Sequence, residues 1–166
     1  MSDKTYLPEG ETPPPSQIGA TLEALASTIA ARRDAGDESY TYRLLTGSVD
    51  DALKKVMEEA AEVALAAKDI ESWATSSLAA TLTFEHAMGH DADEGTVEVE
   101  LPAEYFTAVD HLRYEAADVA YHLLVVLERY GIGLDEFAAE LNNRMTDEER
   151  PAGAVRLYED QIARGK

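Results

Sequence analysis

Apolar residues recur every three to four positions along most of this chain, the spacing of helices that bury one face. The first such stretch covers about residues 18–35, with Leu22, Leu25, Ala26 and Ile29 on one face and Gly36 as its stop. Ser48, followed by acids at 50 and 51, caps a second helix expected to reach about residue 69. In it Leu53, Val56, Met57, Ala60, Val63, Ala64 and Ala67 form an apolar arc. A third helix is predicted over about residues 102–130, with Leu112, Ala116, Val119, Leu123, Val126 and Tyr130 as its seam. After Asp118 its segment VAYHLLVVL is apolar on nearly every side, which predicts burial in a bundle or a subunit interface. Gly131 and Gly133 separate it from a fourth helix over about residues 134–144. These elements predict an all-α fold, a helical bundle of four to six helices completed by dimerisation.

Between the second and third helices the pattern changes character. WATSSLAATLTFEHAM reads as helical, GHDADEG as an acidic loop, and TVEVELP alternates like a short edge strand or hairpin arm. Residues 1–17, with prolines at 8, 13, 14 and 15, read as an extended, disordered arm. Residues 146–166 form a C-terminal extension in which VRLYEDQIA has the look of one more helix. The main domain is then expected over residues 18–145, and no internal repeat interrupts it.

Length and composition narrow the functional classes. A chain of 166 residues that is 45% apolar is sized for one domain with a real core. No stretch approaches the roughly 20 apolar residues needed to span a bilayer, and the N-terminus lacks the basic and apolar regions of a secretion signal, so a cytoplasmic protein is expected. The 33 acids against 14 bases leave a formal charge of −19, which disfavours a nucleic-acid backbone or an anionic membrane as partner. With no cysteine, any metal must be held by oxygen or imidazole, which favours a hard cation such as Mg²⁺.

The candidate chemistry lies in acids at helical spacing. Glu59 and Glu62, three residues apart, can reach one point in space, and Glu58 lies about 100° round the helix from Glu59. Glu115 and Asp118 repeat the spacing on the third helix, with His122 on the same stripe. Clustered carboxylates at the edge of buried helices repel one another unless protons, basic side chains or cations compensate. Two facing acid pairs suit Mg²⁺; pairing with Lys54, Lys55, Arg113 or solvent, with no chemistry, accounts for the same residues. His122 reads as a hydrogen-bonded core histidine. A di-iron bundle of the ferritin kind needs Glu-x-x-His, and the residues three before His86, His90, His111 and His122 are Thr83, Ala87, Ala108 and Val119.

The segments SYTYRLL at 39–45, LKKVMEEAAEVALAAK at 53–68, YEAADVAYHLLVVL at 114–127 and GIGLDEFAAELNNRM at 131–145 resemble the phosphoribosyl-ATP pyrophosphohydrolase family. That family is a branch of the all-helical nucleoside triphosphate pyrophosphohydrolases. The superfamily's Glu-x-x-Glu and Glu-x-x-Asp motifs fall here on Glu59, Glu62, Glu115 and Asp118, with Glu58 completing EExxE. The resemblance implies hydrolysis of 1-(5-phosphoribosyl)-ATP to 1-(5-phosphoribosyl)-AMP and pyrophosphate, the second step of histidine biosynthesis. It implies Mg²⁺, or Mn²⁺, on those four acids, Glu58 orienting or deprotonating the attacking water, a homodimer, and a functional link to a phosphoribosyl-AMP cyclohydrolase. The substrate is a phosphorylated nucleotide. Among nearby cations Arg43, Lys54 and Lys55 are candidates to meet its phosphates, although Lys54 and Lys55 equally read as partners of Glu58 and Glu59 at i, i+4; Tyr40 and Tyr42 stack on a base or simply pack.

In one respect the chain departs from the family. Fifty-two residues separate Glu62 from Glu115, where the family keeps a much shorter connection, so residues 70 to about 104 look inserted. Two other readings stay open: a relative acting on a nucleoside or deoxynucleoside triphosphate, and a non-catalytic acidic helical module that binds a basic partner.

Overall fold

The computed structural model describes residues 4, 5, 7, 9–12, 16–89, 96–158 and 162. Among them are five α-helices and no strand: α1 (Ile18–Ala31), α2 (Tyr40–Thr46), α3 (Val49–Ala87), α4 (Ala103–Arg129) and α5 (Leu134–Asn142), with a 3₁₀ turn at Arg32–Asp34 after α1. The all-α expectation holds. The chain divides into two compact units, one of Met1–Gly47 with Leu124–Lys166 and one of Ser48–Leu123.

In the first unit α1 buries Ile29, with Leu22, Leu25 and Ala26 half-buried beside it, the face its spacing predicts. Ser39 caps α2 by accepting from the Tyr42 amide at 3.3 Å, and α2 buries Leu44 and Leu45. The far end of α2 closes tightly: the Gly47 amide donates to the Arg43 carbonyl at 2.9 Å, and a Cβ at residue 47 would stand 2.6 Å from that oxygen. Arg129 near the end of α4 then donates to the carbonyls of Leu44 at 2.7 Å and Gly47 at 2.6 Å. These are carbonyls that a helix end leaves without intrahelical partners. Arg129→Ala removes a charged donor from both, so an unfolding free energy lower by about 1–3 kcal/mol is expected, read from urea denaturation; an unchanged midpoint would show that water replaces the guanidinium.

α4 ends where Gly131, at φ 71°, lets the Ile132 amide reach the Leu127 carbonyl at 2.9 Å and the Gly131 amide the Glu128 carbonyl at 3.1 Å. That pair of bonds needs a left-handed residue, which glycine adopts without strain. Beyond α5 the chain is pinned by side chains: Asn142 Nδ2 donates to the Val155 carbonyl at 2.9 Å, and Arg150 to the carbonyls of Asn142 at 2.7 Å and Met145 at 2.6 Å. Of the VRLYEDQIA helix expected from sequence, residues 155–158 carry no regular structure, and 159–161 and 163 lie outside the described residues.

The second unit consists of α3 and the first part of α4. α3 runs to Ala87, not to about residue 69, so the segment WATSSLAATLTFEHA continues the acid-bearing helix. Its hydroxyls bond back to their own helix, Ser77 to the Trp73 carbonyl at 2.8 Å, Thr81 to Ser77 at 3.0 Å and Thr83 to Ala79 at 2.7 Å. Most of the acidic loop, residues 90–95, lies outside the described residues, as do prolines 8, 13, 14 and 15 of the N-terminal arm. Residues 96–100 are not a strand; alternation makes one only where a neighbour pairs its backbone.

The apolar arc expected to be the core face of α3 is largely exposed, with Leu53 at 42% and Met57 at 73%. What α3 buries is Ala52, Glu59 and Ala66, and what this part of α4 buries is Ala108, Glu115 and His122. Each set repeats every seven residues, two helical turns, so each helix sinks one narrow stripe.

Candidate metal centre

On α3 and α4 that buried stripe puts an acid at its middle position. Glu59 and Glu115 are each only 5% exposed, and the alanines above and below Glu59 keep the stripe slim. One carboxylate oxygen from each of Glu59, Glu115 and Asp118 lies within 4.8 Å of the others. Asp118, one turn on from Glu115, is half-buried. Glu62 is more open to solvent, yet its pKa is raised above the ordinary carboxylate range, by desolvation first and then by the negative charges of Glu115 and Glu59. All four acids singled out from the sequence thus converge on one place, three of them tightly.

Cationic groups compensate part of this charge. Lys55 Nζ stands 2.5 Å from Glu59 Oε1 and 3.2 Å from Glu58 Oε2, and Lys54 Nζ stands 3.2 Å from Glu58 Oε1. The hydrogen bond from Lys55 pulls the Glu59 carboxyl below its usual range and raises the Lys55 ammonium well above its own. Glu58 is pulled down by Lys54 and then Lys55. The i, i+4 pairing anticipated for both lysines is therefore present. Glu58 sits in this lysine clamp, outside the tight carboxylate cluster.

Two histidines complete the surroundings. His122 Nε2 is 3.8 Å from Glu59 Oε1 and its ring meets Tyr121 edge-on at 4.9 Å. Burial pushes its pKa down, with the nearby Glu59 charge opposing, so it is neutral at pH 7, and of the hydrogen-bonded core histidine expected the burial is present. His111 Nε2 stands 2.7 Å from Glu115 Oε1. Sequence reasoning passed over this contact, and its signal was the i, i+4 spacing to Glu115.

Tyr40 and Arg43 belong to the first unit. Arg43 donates to the carbonyls of Asp37 at 2.8 Å and Glu38 at 3.4 Å, and its guanidinium lies 5.9 Å from the centre of the Tyr40 ring.

Three carboxylates that can offer oxygens to one point, two of them buried, form a donor set for a hard divalent cation, because such ions take oxygen ligands and offset the repulsion among acids. A metal-activated attack on a phosphoric anhydride is the chemistry such a set can serve.

Comparison with known proteins shows the family. The family description "Phosphoribosyl-ATP pyrophosphohydrolase" matches residues 22–145. The chain is 32% identical over 135 residues to a phosphoribosyl-ATP pyrophosphatase of Paracidovorax citrulli, covering 79% of this chain and 74% of that one. It is 35% identical over 124 residues to one from Limosilactobacillus fermentum, covering 74% and 82%. With the histidine biosynthesis bifunctional protein HisIE of Halalkalibacterium halodurans it shares 35% identity over 127 residues, covering 76% of this chain and 42% of that one. No solved structure matches it. The chain belongs to the phosphoribosyl-ATP pyrophosphohydrolase family.

Proposed function

We propose that this protein hydrolyses 1-(5-phosphoribosyl)-ATP to 1-(5-phosphoribosyl)-AMP and pyrophosphate, the second step of histidine biosynthesis. The observation that carries the proposal is the convergence of Glu59, Glu115 and Asp118 within 4.8 Å in a chain of this family. Glu59, Glu62, Glu115 and Asp118 are the ligands for Mg²⁺, with Mn²⁺ as substitute. Bound there, the ion screens charge on the phosphate chain and acidifies the attacking water.

The chain's own groups do the positioning. Glu58, kept ionised and weakly basic by its two lysines, is suited to orienting the water by accepting a hydrogen bond, less to removing its proton. Lys54, pointing mostly into solvent, brings positive charge to a phosphate chain that must approach a protein of charge −19. Lys55 adds a second ammonium beside it. Tyr40 and Arg43 enter as substrate contacts on the resemblance of their segment alone. His111 holds one oxygen of Glu115 from outside, and neutral His122 backs Glu59 without adding charge.

The exposed apolar arc of α3, with Leu53 and Met57, is the surface on which a second copy packs, which makes a homodimer. The reaction serves small-molecule biosynthesis in the cytoplasm, and its product is the substrate of a cyclohydrolase acting next. Among the described residues no helix is long and apolar enough to cross a membrane.

Because carboxylate ligands must shed protons to bind a cation and Glu62 holds its proton above the ordinary value of 4.5, Mg²⁺ binding releases protons. Affinity then falls as the pH is lowered from neutral toward the raised value. Calorimetry at several pH values reads this, and an affinity flat with pH would remove Glu62 from the ligand set. The reaction itself is tested by product analysis: one pyrophosphate per phosphoribosyl-AMP and no orthophosphate is expected, whereas stepwise orthophosphate release would overturn the reading.

A further inference from the structure

The Lys55 ammonium lies on the same carboxylate that forms the buried corner of the acid cluster. Its nitrogen is 2.5 Å from Glu59 Oε1, its second contact is Glu58 at 3.2 Å, and its side chain is one-third exposed. Lys54, one residue earlier, is 72% exposed and, among the described residues, pairs with Glu58 only. The two lysines are therefore not equivalent: one touches the cluster and the other its rim.

We propose that Lys55 is the internal counter-cation of the acid cluster: it neutralises Glu59 in the metal-free protein and competes with a divalent cation for that carboxylate. The inference rests on the metal-centre reading of the four acids. Burying a carboxylate beside two others is costly without a positive charge next to it, and a lysine four residues earlier on the same helix supplies one without any ligand. A dication arriving at the cluster then meets an ammonium already bonded to one of its ligands, and the two like charges repel across a few ångströms. The arrangement keeps the site ordered between turnovers, at the expense of metal affinity, and frees a cation beside the site as metal binds. On its long flexible stem the ammonium can leave Glu59 without movement of the helix.

The test is direct titration of Mn²⁺ into the full-length protein, by calorimetry and by electron paramagnetic resonance, for wild type, Lys55→Gln, Lys55→Arg, Lys54→Gln and Asp118→Asn, without nucleotide. Lys55→Gln is expected to bind Mn²⁺ at least fivefold more tightly than wild type, Lys55→Arg to return to within twofold of it, and Lys54→Gln to change by less than twofold. In the metal-free state Lys55→Gln should melt below wild type, and added Mn²⁺ should raise its Tm by more than it raises that of wild type. Unchanged or weaker Mn²⁺ binding by Lys55→Gln, with wild-type binding intact and lost in Asp118→Asn, would overturn the counter-cation role alone. Absence of Mn²⁺ binding by wild type would overturn the metal-centre reading and this inference with it.

Discussion

Asp118→Asn will reduce pyrophosphate release by about 10²–10³-fold or more while leaving the helices intact. The size follows from losing a charged group that acts on the transition state, for which removing one well-placed partner typically has an effect of that order. The exchange keeps the side-chain volume, and Asp118 is the half-buried member of the cluster, so packing changes little. It removes one negative charge from a set whose cation affinity depends on charge. Circular dichroism should superimpose on wild type, and steady-state turnover should collapse. Near-normal turnover would mean that the cluster on α3 and α4 is structural.

The second large effect is on stability. A ligand that binds only the folded protein stabilises it by about 2.7 kcal/mol at a hundred times its Kd, and each kcal/mol moves the melting point of a chain this size by roughly 2–4 °C. Saturating Mg²⁺ should therefore raise Tm by roughly 5–10 °C. The cation also offsets the desolvation and the Glu115 and Glu59 charges that raise the Glu62 pKa. In Asp118→Asn the rise should shrink to a fraction of that. An identical rise in both proteins would locate the stabilising ion elsewhere on a strongly acidic surface.

Much of this molecule is legible in its sequence, and the places that are not have physical reasons. Ser48 announces the start of α3 because a capping hydroxyl followed by acids has few other uses, and it does accept from the Asp50 amide at 3.2 Å. The end of α3 is harder to read. Serines and threonines weaken helix propensity, yet here they bond to carbonyls four residues back, and the helix runs on to Ala87 through the segment that looks inserted. TVEVELP alternates, but alternation describes a half-buried strand only if a second strand exists.

The candidate site shows the same mixture. Spacing alone brings Glu59 with Glu62, and Glu115 with Asp118, onto shared helix stripes; their burial is not legible. The larger apolar residues Leu53 and Met57 point to the core by composition, whereas small Ala52 and Ala66 flank the buried acid. A helix can bury its acidic stripe when the acids have cationic partners, as Glu59 has in Lys55. The contact of His111 with Glu115 escapes sequence reasoning because i, i+4 pairs are frequent in a chain with 33 acids, and only geometry separates the one that touches the cluster.

The four acids are proposed to serve cleavage of phosphoribosyl-ATP. The most direct test measures pyrophosphate release with Mg²⁺ from phosphoribosyl-ATP beside ATP, dCTP and dUTP, for wild type and for Glu62→Gln. Clear preference for phosphoribosyl-ATP is expected, and its loss in the variant. Release from another nucleotide alone would keep the chemistry and move it to another pathway, and no release from any of the four would show that these acids do not serve pyrophosphate release.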